Sequence, residues 1–198
     1  MKTTDLPEFI FFTGVPGSKW SGISQILEQN PQINTSDRTV ERRYQHAEFS
    51  GHMGAYFGAG MEFEPILDRL HLLQAWQDSE PGHRVVKSHD WAYMLDDIVV
   101  KFPDQWIMLV WRENQISYDW WQQAGGFSIT YPNYSAYVDN DGMHAEIARQ
   151  NQGIEAFARL HDLKWSEFSS AWVEQNFGFK PEMKKTFEGI YAALWRSA

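Results

Sequence analysis

The sequence predicts a single α/β domain over residues 1–198, with three layers (α/β/α) and a mainly parallel central sheet. Apolar runs rich in β-forming residues alternate with stretches whose apolar residues recur at helical spacing. The segment Gln105–Trp111 is apolar on both faces, as expected of a central parallel strand covered by helices. A chain of 198 residues is long enough for one sizeable core, which makes one domain the default expectation.

The first half of the chain begins with a strand, a Gly-rich loop and a helix. Glu8–Thr13 is an apolar β-forming run that stops at a Gly-Pro-Gly loop. Apolar residues at helical spacing then continue until Asn30 and Pro31 end the helix. The next predicted elements are a short strand at 33–35, an unassigned segment at 37–60, a helix after Pro65, a strand at 84–88 behind a Pro-Gly turn, and a helix at 91–101.

The second half begins with the central strand, and the pattern predicts helices after it. A helix at 113–123 follows directly, and Gly125 and Gly126 precede an irregular, tyrosine-rich stretch. Apolar stripes at helical spacing predict helices at 144–161 and 181–195, with a further helix around 166–175.

The composition excludes several functional classes. With no cysteine, the chain has no disulfides, thiol nucleophile, iron–sulfur cluster or Cys-ligated zinc. A net charge of −9 argues against coating nucleic acid or an anionic membrane, but it permits a local basic pocket for one anion. Residues 1–7 contain no apolar run of signal-peptide length, so we expect a soluble, cytoplasmic protein.

The loop after the first strand is a candidate phosphate site. Gly14–Ser21 reads GVPGSKWS at a strand-to-helix junction, where backbone N–H groups and a positive helix end favour anions. Lys19 adds a charge, and Ser18 and Ser21 add hydroxyl donors. Compared with the Walker pattern, Lys19 stands in place of the second Gly and Trp20 in place of the Lys, which disfavours an ATP-hydrolysing loop. A simple Gly-Pro turn before a helix is the alternative.

Two further segments follow later strands and converge on the same predicted sheet edge. Lys87-Ser88-His89 ends the second long strand, where a neutral His accepts a proton and a Lys offsets anionic charge. A surface or capping histidine, with Asp90 as a helix N-cap, is the alternative. Arg112 follows the central strand and suits a phosphate or carboxylate, with Ser117 five residues on. A surface ion pair with Glu113 is the alternative for Arg112, and Trp120-Trp121 is predicted to be core.

These three segments, in this order, resemble the sulfotransferases that use 3′-phosphoadenosine 5′-phosphosulfate (PAPS). The resemblance covers residues 8–121 and implies a P-loop NTPase-like sulfotransferase architecture. It implies that PAPS is held by the loop and by the residues after the central strand. The implied cofactor-binding residues are Gly14, Pro16, Gly17, Ser18, Lys19, Trp20, Ser21, Arg112 and Ser117.

The resemblance also assigns catalytic roles. It implies that His89 is the general base, that Lys87 and Lys19 offset charge on the transferring group, and that no metal takes part. The family's loop Lys falls on Gly17, while Lys19 takes the place of a Gly, and the family's C-terminal Arg-Lys-Gly segment has no counterpart. The expected acceptor is a hydroxyl or amine of a small molecule or carbohydrate, with its pocket in the aromatic-rich stretches 44–61 and 127–137.

Two other functions remain open from the sequence. One is a P-loop-like nucleotide or nucleoside kinase, and the other is a non-catalytic member of the fold that binds an anion or nucleotide. His46, Glu48 and His52 lie close in sequence, but their spacing fits no strong metal pattern, so a solvated loop is the expectation there. Nucleic acid and membranes are not expected partners.

Overall fold

The computed structural model describes residues 5–37, 66–74, 76, 81–129 and 138–197. Within these residues the chain forms a mixed α/β fold with a five-stranded sheet in the order β2-β1-β3-β5-β4. The strands are β1 (Phe9–Gly14), β2 (Arg84–Lys87), β3 (Trp106–Arg112), β4 (Ser166–Glu167) and β5 (Ile190–Trp195). The helices are α1 (Trp20–Leu27), α2 (Arg69–Gln74), α3 (Leu95–Lys101), α4 (Asn114–Gln123), α5 (Asn140–Leu160) and α6 (Ser170–Phe177).

The parallel half of the sheet is β2-β1-β3. In its registers, Phe12 lies opposite Lys87 on one side and opposite Met108 on the other. Every residue of β1 and β2 is buried, and so is all of β3 except the half-buried Trp111. The predicted strands at 8–13, 84–88 and 105–111 are therefore confirmed. Burial on both faces accounts for the apolar runs of β1 and β3, while β2 buries two valines between Arg84 and Lys87.

The antiparallel half of the sheet is β5 and β4, and it corrects the predicted final helix. Residues 190–195 form a strand that pairs antiparallel with β3, from Ile107↔Trp195 to Arg112↔Ile190. Gly189 adopts φ +69 just before it, a conformation that ends regular structure. Four of the five strands still point one way, because β4 pairs antiparallel with β5. Two of the four strand pairings are antiparallel, so the sheet is less parallel than predicted.

Helices cover both faces of the sheet. Alternate residues of β1 point to opposite sides: Phe9 and Phe11 join the core under α3, α4 and α5, while Ile10 and Phe12 join the core under α1 and α6. This alternation is the ordinary consequence of strand geometry. The described elements thus form helix, sheet and helix layers, as the sequence predicts.

Other elements differ from prediction mainly in their bounds. The predicted helix at 91–101 is a short 3₁₀ helix, Asp90–Tyr93, followed by α3, with Met94 between them outside helical geometry. Instead of a strand at 33–35 there is one isolated bridge, between Ile33 and His83. The helix expected at 166–175 begins at Ser170. The side chain of Ser169 caps its N-terminus by accepting a hydrogen bond from the Trp172 N–H. Among the described helices, none has the length and apolar character needed to cross a membrane.

Candidate functional site

The candidate site lies where the three parallel strands end. Gly14 ends β1, Lys87 ends β2 and Arg112 ends β3, and the strand registers bring these ends together. Ligands of open α/β sheets bind at this carboxyl edge because the connecting loops leave a crevice there. The structure therefore brings together the three segments that the sequence singled out.

The loop from Gly14 to Lys19 is pressed against the start of α4. Gly17 adopts φ +80, and a Cβ built on it would lie 1.8 Å from the carbonyl oxygen of Ser117. Lys19 has φ 60, the left-handed conformation that glycine adopts most easily, and it stands where the Walker pattern has a glycine. The loop therefore keeps a glycine-like backbone at Lys19 while adding a charged side chain.

Arg112 ties β3 to this loop. Its Nη1 donates a hydrogen bond of 2.8 Å to the carbonyl oxygen of Gly17. The side chain pairs with no carboxylate among the described residues, and Glu113 instead caps α4 by accepting from Ile116 N–H. The surface ion pair with Glu113 considered from the sequence is therefore not formed. Burial lowers the pKa of Arg112, and the negative charge of Glu113 opposes that shift.

Two buried donors at this edge lack a protein acceptor. Ser18 is fully buried, and its Oγ has no hydrogen-bond partner in the described part of the chain. Arg112 is 8% exposed, and its Nε is likewise without one. Buried polar groups are nearly always hydrogen-bonded, so two unsatisfied donors on adjoining segments indicate a place for an acceptor from outside the protein.

A second basic side chain stands at the accessible side of the loop. Lys19 Nζ donates to the carbonyl oxygen of Thr186 at 3.3 Å and lies 4.3 Å from the ring centre of Trp120. The Arg112 guanidinium carbon is 5.6 Å from the same ring. Partial burial lowers the pKa of Lys19, and the charges of Arg112 and Lys185 lower it further. Lys19 precedes the N-terminus of α1, and the first turn of that helix has no acidic residue.

His89 is buried against the loop. Its side chain is 2% exposed, and Nδ1 forms a short hydrogen bond with the carbonyl oxygen of Gly14. Burial lowers the pKa of His89 to about 3, although the contact with Gly14 acts in the opposite direction. The imidazole is therefore neutral across the physiological range. The alternative of a surface histidine is wrong, and Asp90 begins the 3₁₀ helix instead of capping it.

The remaining predicted residues pack around this centre. Lys87 is 1% exposed, and its Nζ lies 3.5 Å from the Ser24 hydroxyl on α1. Trp20 is buried between Phe12 and His89, with ring centres 5.8 and 4.0 Å away. Pro16 is also buried, while Ser21 is half-buried in the first turn of α1.

Ser117 lies beside Arg112 as predicted, but its hydroxyl is hydrogen-bonded to the backbone. It is fully buried, and its hydroxyl donates to the carbonyl oxygen of Arg112 at 3.4 Å. The amide of Asn151 donates to the same oxygen at 2.8 Å. Ser117 therefore helps to hold the turn that carries Arg112.

The turn after His89 is clamped by α5. Tyr93 O–H donates to the Glu146 carboxylate at 2.7 Å, and Arg149 pairs with the same carboxylate at 2.6 Å. A Cβ on Gly153 would lie 2.6 Å from the carbonyl oxygen of Ala92, so α5 approaches this turn as closely as a glycine allows. Helix α5 thus fixes the position of the segment that begins at His89.

Three of these residues were not found from the sequence. The charge of Lys185 acts on Lys19 because the segment before β5 contacts α1 and Lys19, and the expected helix at 181–195 concealed that path. Trp120 is half-buried beneath two cations, although the sequence predicts it to be core, while its neighbour Trp121 is buried as predicted. Glu146 is a buried acidic residue on an apolar helix face, which was a signal available in the sequence.

Some predicted features lie outside the described residues. These are His46, Glu48, His52, the acceptor segment 44–61 and most of the segment 127–137. Of the latter, Phe127 is described, and it packs edge-on against Trp121. Among the described residues, no three metal-ligating side chains come together.

Comparisons with known proteins identify no relative. No protein-family model matches the chain, and neither the curated proteins nor the solved structures contain a significant match.

Proposed function

We propose that the chain transfers a sulfuryl group from PAPS to a hydroxyl or amine of a small-molecule or carbohydrate acceptor, with His89 as general base. The observation that carries this proposal is the hydrogen bond between His89 Nδ1 and the carbonyl oxygen of Gly14. It joins the candidate base directly to the candidate anion loop, two segments 75 residues apart in sequence.

The contact with Gly14 fixes which nitrogen of His89 can act. A carbonyl oxygen can only accept a hydrogen bond, so we assign the proton to Nδ1. In a neutral imidazole Nε2 is then the nitrogen that can accept a proton, and a pKa of about 3 keeps the ring neutral. His89 therefore has the protonation state that a general base needs before it accepts a proton.

The residues around the loop fit an anionic cofactor of this kind. Ser18 Oγ and Arg112 Nε are buried donors without a protein acceptor, and neither Lys19 nor Arg112 pairs with a carboxylate in the described part of the chain. The loop Gly14–Ser21 would hold the 5′-phosphosulfate and Arg112 the 3′-phosphate. PAPS, when bound, supplies an activated sulfuryl group.

The chain's own residues would then act in three ways. His89 Nε2 accepts the proton of the acceptor hydroxyl, and its burial keeps bulk water from competing for that nitrogen. Lys19 and Lys87 offset negative charge on the transferring group and on the phosphate that departs. Helix α5 holds the turn that carries His89, which preserves the orientation of the base.

A second candidate function is binding of an anionic nucleotide without transfer. Two contacts favour it: Lys19 Nζ is engaged by the Thr186 carbonyl, and the Ser117 hydroxyl is engaged by the Arg112 carbonyl. Both donors would have to leave these partners to reach a ligand. This candidate predicts nucleotide binding in the absence of turnover.

Binding and turnover are tested separately with PAP (3′-phosphoadenosine 5′-phosphate) and PAPS. Calorimetric titration with PAP, with AMP as the ligand lacking the 3′-phosphate, tests the cofactor site. Turnover is followed as release of PAP from PAPS in the presence of a panel of phenols, alcohols, amines and sugars. We expect Arg112→Lys and Lys19→Ala to weaken PAP binding at least about tenfold, because each loses a charge-assisted contact. Lys101→Ala, which removes an exposed charge at the end of α3, is the matched control.

His89→Gln separates the two candidates. It should bind PAP about as tightly as the wild type while PAP release falls at least about 100-fold, the usual contribution of a general base. PAP binding without turnover in the wild type would favour the second candidate. Absence of PAP binding would overturn both, and turnover of ATP with Mg²⁺ under those conditions would favour a kinase.

A further inference from the structure

A second cleft lies apart from the candidate site, on the α5 side of the sheet. It has a volume of about 590 Å³ and is bounded by the end of β3, by β5, by the C-terminal half of α5 and by the connection from α5 to β4. This volume is in the range of ordinary small-molecule pockets. None of the residues that line it belongs to the loop, to β2 or to the 3₁₀ helix after His89.

Three aromatic side chains with accessible surface form the walls of this cleft. They are Trp111, Trp165 and Tyr191, and Tyr191 is 39% exposed. The Trp111 and Tyr191 rings lie 5.9 Å apart at an angle of 56°. They contact each other at a tilt, so they do not frame a parallel slot for a flat base. A non-planar ring with an apolar face can instead pack against either of these two side chains.

Hydrogen-bonding groups on the rim of the cleft are charged but balanced. Glu155 accepts the Trp111 Nε1–H at 2.6 Å, which fixes the orientation of that indole. Asp162 pairs with Lys164 at 2.6 Å, and Arg159 also lines the cleft. Lys164 does not line the cleft, but it pairs with Asp162 from beside it. With Lys164 counted, two carboxylates and two cations cancel, and both carboxylates already have a donor. The rim therefore favours neither a cation nor an anion.

From these features we propose that the cleft binds a neutral saccharide. The apolar face of a pyranose ring packs on Trp111, Trp165 or Tyr191, and its hydroxyls both donate to Glu155 and accept from Arg159. A few polar groups set among aromatic walls is the usual composition of a small-molecule pocket. A neutral, polyhydroxylated ring satisfies both the aromatic walls and the balanced rim.

The cleft is linked to the candidate site through one strand. Trp111 and Arg112 are successive residues of β3, and their side chains have different partners: Glu155 on α5 and Gly17 in the loop. This follows from the alternation of side chains along a strand. The saccharide proposal does not depend on the proposed sulfuryl transfer, because no residue of the cleft has a role in that chemistry.

Binding to an array of neutral, sulfated and sialylated oligosaccharides tests the proposal, followed by calorimetry with each neutral oligosaccharide that binds. We expect saturable binding of neutral saccharides that salt does not weaken, because no net charge is involved. Trp165→Ala should weaken this binding at least about tenfold, and Glu155→Gln should weaken it less while keeping the shape of the cleft. Val100→Ala, at an exposed apolar residue of α3 outside the cleft, is the control.

The outcomes are distinct from those of the transfer assay. An unchanged circular dichroism spectrum and urea midpoint in Trp165→Ala show that the variant is folded, whether or not the chain binds PAP. If no neutral saccharide binds, or if binding is the same in Trp165→Ala and Glu155→Gln as in the wild type, the proposal is wrong. Preference for sulfated saccharides, for choline or for AMP at this cleft would equally overturn it.

Discussion

The parallel and antiparallel halves of the sheet differ in the residues that surround the ends of their strands. In the parallel half, the strands are buried along nearly their whole length, and they end on a glycine or a basic side chain: Gly14, Lys87 and Arg112. In the antiparallel half, β5 mixes buried and exposed residues, and its neighbourhood carries the aromatic cleft. The parallel half thus provides charge and hydrogen-bond donors, whereas the antiparallel half provides apolar ring surface.

The reason for this difference is structural. Parallel strands need long connections, so their carboxyl ends open into loops and helix N-termini where backbone N–H groups collect. Antiparallel β5 has its N-terminus at that edge and pairs with β3 along its whole length. We therefore expect substitutions at the ends of the parallel strands to change anion binding, and substitutions of buried residues in β5 to change stability without changing anion binding.

The largest effect is expected from Gly17→Ala in the loop. A Cβ there would lie 1.8 Å from the Ser117 carbonyl oxygen, and the φ of +80 is unfavourable for alanine. Both the loop and α4 would have to move, which should lower the free energy of unfolding by roughly 4 kcal/mol and abolish PAP binding. Urea denaturation and calorimetry measure the two effects.

Gly22→Ala is the matched control for Gly17→Ala. Its Cβ would meet only the Phe187 ring, at 3.6 Å, and alanine is favoured over glycine inside a helix such as α1. The free energy of unfolding of Gly22→Ala should equal that of the wild type or exceed it by about 0.5–1 kcal/mol. Equal losses in the two variants would show that the loop is not pressed against α4.

Ile190→Ala tests the antiparallel half. Ile190 is fully buried at the start of β5, in the core beneath α1 and α6. The lost apolar contacts and the resulting cavity should lower the free energy of unfolding by about 3 kcal/mol. PAP affinity should change less than about threefold, because β5 contributes no side chain to the loop site. A loss of affinity as large as in Arg112→Lys would contradict the division between the two halves.

The same division explains what the sequence could predict. Strands β1, β2 and β3 were predicted because burial on both faces requires continuous apolar residues, and their order located the site edge. Strand β5 was missed because Phe187, Ile190, Tyr191 and Leu194 also fit a helical stripe, and only pairing with distant β3 makes them a strand. The Gly189 turn was the local signal against a helix.

Within the candidate site, residue types were predictable but their environments were not. The sequence indicated His89 and Arg112 as neighbours of the loop, and the structure joins both to it. It did not indicate that His89 is buried, because this depends on Trp20 and on the 3₁₀ helix held by α5. The position of Lys185 beside Lys19 depends on how the chain returns to β5.

A smaller effect is expected from the titration of His89. Its pKa in the folded protein is about 3, below the ordinary 6.5 of the unfolded chain, so between these values the unfolded state binds more protons. Stability should therefore fall as the pH drops below 6.5, by up to about 1.4 kcal/mol per pH unit, or about 2 kcal/mol near pH 5. His89→Gln lacks this contribution.

Urea denaturation of the wild type and His89→Gln at neutral and acidic pH isolates that contribution. The wild type should lose about 2 kcal/mol more than the variant between pH 7 and pH 5. Transfer activity, if present, should show no loss near pH 6.5, because the base stays neutral well below it. Parallel pH dependence in the two proteins would show that His89 titrates normally and is accessible to water.

The smallest effect separates the backbone of Lys19 from its charge. Lys19 adopts φ 60 within the parallel half's loop, where glycine relieves strain and alanine does not. Lys19→Gly and Lys19→Ala lose the same contacts with Thr186 and Trp120, so Lys19→Gly should be the more stable by about 1 kcal/mol. The two variants should lose PAP affinity to the same extent, because both remove the positive charge that attracts the ligand. Equal thermal stability of the two variants would show that φ 60 at position 19 carries no strain. Retained affinity in Lys19→Gly would show that the loop binds through its backbone and that Lys19 is held away from the anion.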